Sequence, residues 1–365
     1  MKLDTICVQG TYKPKNGEPR VIPIVQSTTF KYDSSAEMGD LFDLKKSGYF
    51  YSRLQNPTCD NVASKIAALE GGVAGMLTGS GQAANFYAVF NIAQAGDHIV
   101  SSSAIYGGTF NLFNVTMRKM GLDFTFLDPD CSEEELNAAF RPNTKAVFGE
   151  SIANPSLKVF DFEVYGHDAT VGGAVVDSGK FDWMEHKEKF PGLCTPDESY
   201  HGIVYAQKFG NAGAYITKAT VQLMRDLGSV QAPVNAYMLN LGLESLAVRM
   251  ERHCSNALAV AEFLEQNENV AWVNYPGLAD NQYYRRAQKY MNGGTCGVVS
   301  FGVKGGRPAA EKFMKNLHLA MIATHVADAR TCVLHPASST HRQMTEEQLI
   351  EAGVPAGLVR ISCGL

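Results

Sequence analysis

The loop Gly79-Ser80-Gly81-Gln82 lies between an apolar run at 74–77 and helical composition at 83–93. Where a strand hands over to a helix, the free N–H groups of the first turn and the positive helix end favour an oxyanion such as phosphate. The loop is neither a G-x-G-x-x-G nor a Walker motif, and an ordinary glycine turn would look the same locally. Tyr106, in Ile105-Tyr106-Gly107-Gly108-Thr109, follows the next strand and could stack on a flat cofactor ring; taken alone, it is as readily a packing residue. Glu150 and Asn154 end a third strand in Glu150-Ser151-Ile152-Ala153-Asn154-Pro155. In a parallel sheet all three loops share one C-terminal edge, and their convergence strengthens each. Tyr51 and Arg53, in Tyr51-Ser52-Arg53-Leu54-Gln55-Asn56-Pro57-Thr58, are a phenol and an arginine that local folding does not require, though a solvated Arg is the plain alternative. Further on, His335-Pro336-Ala337-Ser338-Ser339-Thr340-His341 gathers two imidazoles and three hydroxyls, and Arg360 sits inside the strand-like Leu358-Val359-Arg360-Ile361-Ser362. A half-buried strand arginine asks for an anionic partner. No carboxylate or Cys completes a ligand set beside His335 and His341, and Pro336 breaks the helix such a pair would use, so no metal is expected.

The elements that must position these residues follow an α/β pattern. Strand-like runs at 74–77, 98–101, 123–127 and 146–148 alternate with helical segments at 83–93 and 107–120, and Ser132 with Glu135 forms a capping box. The interval from 148 to the next strand, at 173–176, contains no amphipathic helix, although parallel neighbours need a crossover of about a dozen residues or more. Beyond Asp226 the pattern changes to a long helix from 233 to about 265, strands at 270–275, 297–302 and 358–363, and a capped helix from Thr345 closed by Gly353, which suggests a second α+β lobe.

Composition narrows the function classes. A chain of 365 residues has room for two or three units, and 32 Lys plus Arg against 37 Asp plus Glu give a net charge of −5 and a pI near 6.0, which argues against nucleic-acid or anionic-membrane partners. At 45% hydrophobic the chain can build a core, yet no run reaches the roughly 20 apolar residues of a membrane span. Eight scattered cysteines without C-x-x-C spacing read as reduced thiols, and with no secretory h-region a cytoplasmic protein is expected.

Taken together, Tyr51-Ser52-Arg53 with Asn56-Pro57-Thr58, Ser80-Gly81, the Tyr106 motif, Glu150 with Asn154-Pro155, the His335–His341 segment and Leu358-Val359-Arg360 resemble the Cys/Met-metabolism family of pyridoxal-phosphate (PLP) enzymes, of fold type I. Within that family, Leu41-Phe42-Asp43-Leu44-Lys45, Pro196-Asp197-Glu198-Ser199-Tyr200-His201-Gly202 and His341-Arg342-Gln343 are similar to the O-acetylhomoserine sulfhydrylase branch. The resemblance implies a mostly parallel sheet in a large cofactor domain and a smaller α+β C-terminal domain, divided as an arm at 1–58, a PLP-binding domain at 59–232 and a C-terminal domain at 233–365. It also implies roles. Ser80, Gly81 and Gln82 would hold the pyridoxal 5′-phosphate oxyanion, and Tyr51 and Arg53 would reach that phosphate from a neighbouring subunit. Tyr106 would stack on the ring and serve as a candidate general acid, Glu150 and Asn154 would support the ring side, and Arg360 would clamp the substrate carboxylate beside Thr340.

Two parts of the family pattern are absent: a strand ending in the Asp that pairs with the pyridinium nitrogen, and a Ser-x-Thr-Lys whose Lys forms the Schiff base. Asp161-Phe162-Glu163-Val164 runs directly into Tyr165-Gly166-His167, a stretch that resembles the residues just beyond the family's lysine. The gap coincides with the missing crossover and is the size of a βαβ unit, roughly 30 residues or more. A sheet lacking a buried strand exposes apolar faces and unpaired backbone, so a segment is expected to be missing from the sequence there. The function implied is γ-replacement on O-acetyl-L-homoserine by sulfide or a small thiol, giving homocysteine or methionine plus acetate. The alternatives are a methionine or cystathionine γ-lyase of the same family, or a non-catalytic protein of this fold if the Lys segment is truly absent. A site shared between subunits makes a homodimer the minimum, and a tetramer is the family's usual arrangement.

Overall fold

The computed structural model describes residues 1–158, 172–291, 294–342, 344–351 and 353–365. The junction at Val164 and Tyr165 lies outside the described residues. The described residues include ten strands: β1 Ala74–Thr78, β2 His98–Ser102, β3 Asp123–Leu127, β4 Thr144–Phe148, β5 Gly173–Asp177, β6 Val270–Asn274, β7 Val298–Val303, β8 Met321–Ile322, β9 Cys332–Leu334 and β10 Leu358–Ser362.

Among the described residues the first lobe carries its sheet in two pieces. β3-β2-β4 is parallel, with β2 central and all five of its residues buried, as expected of a strand covered on both faces. β1 pairs instead with β5, antiparallel, from Ala74 opposite Asp177 to Thr78 opposite Gly173. The expectation of a mostly parallel sheet therefore holds for β2, β3 and β4, while β1 departs from it. The helix Gly81–Phe90 spans both pieces. Its Ala84 and Tyr87 join a core with Val175, Trp183, Tyr205 and Tyr215, and its Val89 packs with Ile99, Phe113 and Phe124. Trp183 stacks on Tyr215 at 5.8 Å, and Phe113 lies flat on Phe124 and edge-on to Phe148, so rings of different strands and helices lock each piece against its helices.

The second lobe is a five-stranded sheet in the order β6-β7-β10-β9-β8, antiparallel except for β8 with β9. The helices Leu246–Glu265 and Gly306–Lys315 bury Ala257, Ala261, Ala310 and Met314 against Val299, Phe301 and Val359 of its strands. The single helix expected from 233 to about 265 is two, Pro233–Glu244 and Leu246–Glu265, because Ser245 leaves helical geometry at φ −101°, ψ 6°. The first of these packs on the other lobe, where Ala236 and Leu243 meet Cys7, Val62, Ala63 and Leu77. No helix of the described residues is long and apolar enough to cross a membrane.

Candidate active site

Ser80 is extended at φ −164° and caps the helix Gly81–Phe90, its Oγ accepting from the Ala83 N–H at 3.2 Å. The capping drives the helix start two residues earlier than expected from composition, placing Gly81 and Gln82 in the first turn. A side chain at Gly81 would meet nothing within 4 Å, so the helix start faces open space, whereas Gly79 is held by donation to the Ser229 carbonyl at 2.6 Å. Behind the loop, Thr78 Oγ1 donates to the Ser80 carbonyl at 2.8 Å.

Packing joins this loop to the next two. A methyl group at Gly108 would fall 2.5 Å from Gln82 Nε2 and 2.5 Å from the Tyr106 ring, so only a glycine lets these two side chains approach across it. Tyr106 is 53% exposed, and its backbone N–H donates to Glu150 Oε1 at 2.8 Å. Burial pushes the Glu150 carboxyl above its usual range, opposed by that N–H. The helix after Tyr106 widens into a π turn at Leu112–Met117.

Arg360 arrives from the other lobe by strand alternation. Val359 and Ile361 of β10 face the helices of their own lobe, so Arg360 points to the opposite face, 3% exposed. Its Nη1 donates to Asn154 Oδ1 at 2.8 Å, and its Nη2 to the carbonyls of His325 at 3.1 Å and Thr324 at 3.2 Å. The cross-strand neighbour of Arg360 is Ser300, whose Oγ donates to the Pro155 carbonyl at 2.8 Å, so both ends of the Asn154-Pro155 peptide are held by one face of the second sheet. Among the described residues no partner of this guanidinium is a carboxylate, and burial pulls it down to about 10, which leaves it charged at neutral pH. A charge desolvated without a counter-ion favours an anionic ligand.

The contacts therefore run from Gln82 past Gly108 to Tyr106, on to Glu150, and along the loop to Asn154 and Arg360. Gln82 Oε1, Ser151 Oγ and Arg360 Nε in this cluster are buried without a hydrogen-bond partner among the described residues, the condition of groups shaped to meet something else. Three of the expected residues, Tyr51, Arg53 and Thr340, stand elsewhere. Arg53 stacks 5.2 Å over Tyr51 and donates to the Arg225 carbonyl at 2.8 Å; both line a cavity of about 480 Å³ with Phe30, Phe42, Tyr200 and Arg225, and no hydrogen bond joins them to Ser80, Gly81 or Gln82 among the described residues. Thr340 Oγ1 meets His341 Nδ1 at 2.9 Å, and no hydrogen bond links it to Arg360 among the described residues. His341 itself lies within the electrostatic reach of Arg360, being pulled down in pKa by burial and then by that charge. His341 and the Thr324–His325 carbonyls are functional candidates that the motifs do not disclose: the carbonyls carry no side-chain signal, and His341 reads along the chain only as a ligand partner of His335. His335 uses Nδ1 on Ser338 at 2.8 Å and Nε2 on the Ala356 carbonyl at 2.9 Å, a structural role.

Comparison with known proteins agrees with this arrangement. The family described as "Cys/Met metabolism PLP-dependent enzyme" matches in two blocks, residues 4–165 and 164–365. A homocysteine/cysteine synthase of Kluyveromyces lactis is 39% identical over 95% of this chain and 89% of its own length. O-acetyl-L-homoserine sulfhydrylase 1 of Thermus thermophilus is 38% identical over 412 residues, covering 100% of this chain and 96% of its own. Among solved structures, one described as a putative O-acetylhomoserine (thiol)-lyase of Campylobacter jejuni, with a pyridoxyl-lysine phosphate at its position 205, superposes with a TM-score of 0.92 at 32% identity, covering 100% of this chain and 96% of that one. With both lobes matched throughout and the cofactor-side loops in place, the chain belongs to the Cys/Met metabolism family of PLP-dependent enzymes.

Proposed function

We propose that this protein catalyses γ-replacement on O-acetyl-L-homoserine, expelling acetate and adding sulfide or a small thiol to give homocysteine or methionine. The observation that carries the substrate class is Arg360, buried, without a carboxylate partner among the described residues, and bonded to Asn154 on the same loop whose Glu150 accepts from the Tyr106 N–H. Such a guanidinium grips an α-carboxylate through two parallel hydrogen bonds. Homocysteine synthases and O-acetylhomoserine sulfhydrylases among the relatives support the reading of donor and acceptor.

The residues present fit a pyridine bearing a phosphate. The open helix start at Gly81 and Gln82 offers N–H groups to a phosphate, and the orphaned Gln82 Oε1 and Ser151 Oγ await polar partners. When bound, pyridoxal phosphate withdraws electrons from the substrate carbon framework. Ser80, Gly81 and Gln82 would hold the phosphate and Tyr106 would stack on the ring. Glu150 steadies Tyr106 through its backbone N–H, and Arg360 with Asn154 orients the substrate so that its γ-substituent points away from the clamp. The Tyr106 hydroxyl, exposed at this edge, is positioned to hand a proton to the departing acetate oxygen. Thr340 borders the clamp through His341.

Tyr51 and Arg53 do not meet the phosphate loop of their own chain, which supports a site completed by a second copy; the oligomer is then a dimer at least and a tetramer as two dimers, in the cytoplasm. Incubating the PLP-loaded protein with O-acetylhomoserine and sulfide should yield homocysteine and acetate without ketoacid. Ketoacid release would make it a γ-lyase, and no product from any γ-substituted homoserine would make it non-catalytic.

A further inference from the structure

Arg360 belongs to a row of polar side chains. Across the antiparallel strands β6, β7 and β10, Asn274 stands opposite Ser300, and Ser300 opposite Arg360. Residues directly opposite one another share a face of the sheet. Their chain neighbours Val273, Val299, Phe301 and Val359 alternate to the other face, into the cores packed on the helices of the second lobe. The row is therefore turned toward the first lobe.

The residues that it meets there are consecutive. Arg360 Nη1 donates to Asn154 Oδ1 at 2.8 Å, Ser300 Oγ to the Pro155 carbonyl at 2.8 Å, and Asn274 Nδ2 to the Ser156 carbonyl at 2.7 Å. Neighbouring strands lie about 4.8 Å apart and consecutive Cα atoms about 3.8 Å, so a chain laid across the strands keeps nearly the pitch of such a row. Asn281 Nδ2 donates to Asn274 Oδ1 at 2.8 Å, which holds the Asn274 amide with its own donor toward the loop. The loop also closes on itself: the Ala153 N–H donates to the Lys158 carbonyl at 2.9 Å, and the Leu157 N–H to the Ala153 carbonyl at 2.8 Å. Asn154 therefore moves with Pro155 and Ser156.

Ser300 is fully buried, where a hydroxyl costs free energy unless its hydrogen bond is made. The bond that it makes bears on the guanidinium beside it. Arg360 Nη2 rests on the Thr324 and His325 carbonyls of its own lobe, whereas Nη1 rests on Asn154 of the other lobe, and Nε has no partner among the described residues. The direction of the planar fork thus depends on where Asn154 is held.

We propose that Ser300 and Asn274 are positioning residues for carboxylate binding: without touching the substrate, they hold Asn154 where it orients Arg360. The proposal rests on the reading of Arg360 as the carboxylate clamp and adds the residues behind that clamp. The test uses the PLP-loaded protein and two ligands without a leaving group, measured by calorimetry: L-norvaline, and n-butylamine, which is norvaline without its carboxylate. The parent protein should bind norvaline about a hundredfold more tightly than butylamine. Ser300→Ala, and separately Asn274→Ala at a half-buried position, should weaken norvaline by about tenfold and leave butylamine within about twofold. In an Arg360→Ala background, Ser300→Ala should cost norvaline nothing further. An equal loss for both ligands would make the two residues mere docking groups between the lobes; that result, or an unchanged preference in either variant, overturns the proposal and leaves the clamp standing. A parent without preference for norvaline overturns the clamp and the proposal together. The expected pattern in a protein that forms no homocysteine would uphold the proposal and overturn the γ-replacement reading alone.

Discussion

In the proposed reaction Arg360 binds and Tyr106 handles the proton, and substitutions separate the two roles. Arg360→Lys keeps a positive charge but loses the planar fork that holds Asn154 and the two carbonyls. Affinity for O-acetylhomoserine, measured by calorimetry on the PLP-loaded chain, should fall at least about tenfold, with PLP affinity little changed. Tyr106→Phe retains a ring to stack while removing the hydroxyl. If that hydroxyl supplies the proton, turnover should fall by about a hundredfold while PLP binding changes by less than about threefold; unchanged turnover would confine Tyr106 to stacking. Asp60 illustrates a titration that burial imposes away from the chemistry. Its carboxyl is raised from the ordinary 3.8 to about 7 by desolvation, against the Asn56 backbone and the Tyr49 hydroxyl, which pull it down. Between those two values folding takes up a proton, so the contribution of Asp60 to stability is intact below about pH 4 and declines as pH rises to about 7. Asp60→Asn should therefore flatten the fall in urea midpoint over that window, by on the order of 2 to 4 kcal/mol in unfolding free energy at about pH 7.

The helix Pro57–Leu69 shows how one cap ties the N-terminal segment to the first lobe. Asn56, 1% exposed, accepts from the Thr58 N–H at 3.0 Å and donates through Nδ2 to the Val25 carbonyl at 2.9 Å and Ser52 Oγ at 3.0 Å. Asn56→Ala removes the cap and leaves the Val25 carbonyl without this donor, a loss of about 1–3 kcal/mol visible as a lower melting temperature. Because Ser52 sits between Tyr51 and Arg53, the same change should loosen the segment that the proposed dimer would offer to a second copy, and weaken that dimer in sedimentation. The other elements around the site owe their positions to equally local features. Ser80 starts its helix by capping, the Ser132–Glu135 capping box closes at both hydrogen bonds, and Gly353, with φ +70°, ends the helix Glu346–Glu351.

The divided sheet governs the whole molecule's behaviour. β2 is enclosed by β3 and β4, whereas β4 and β5 each present one unpaired side among the described residues. Amide exchange monitored by mass spectrometry should therefore show β2 protected by orders of magnitude more than β5, and equal protection would mean that the open sides are covered.

Much of this protein was legible along the chain. The strand, loop and helix order of the first lobe and the Ser132–Glu135 capping box depend on residues a few positions apart, so their physics is written locally, whereas the Ser80 cap set the helix start two residues ahead of the composition. The Cys/Met family was readable because its motifs are such local units in a fixed order, and even the gap after Glu163 showed as a crossover with no helix to make it. The features beyond local reading involve partners far apart in sequence. β1 lies antiparallel to β5, Ser245 divides the helix after Pro233, and His341 rather than Thr340 feels the charge of Arg360. Asn154 meets Arg360 across 206 residues, and Arg53 beside Tyr51 turns to the Arg225 carbonyl rather than to the Ser80 loop of its own chain. These arrangements are settled by how two lobes and two pieces of sheet bury their apolar faces together, a free energy summed over the entire fold that no short stretch of sequence contains.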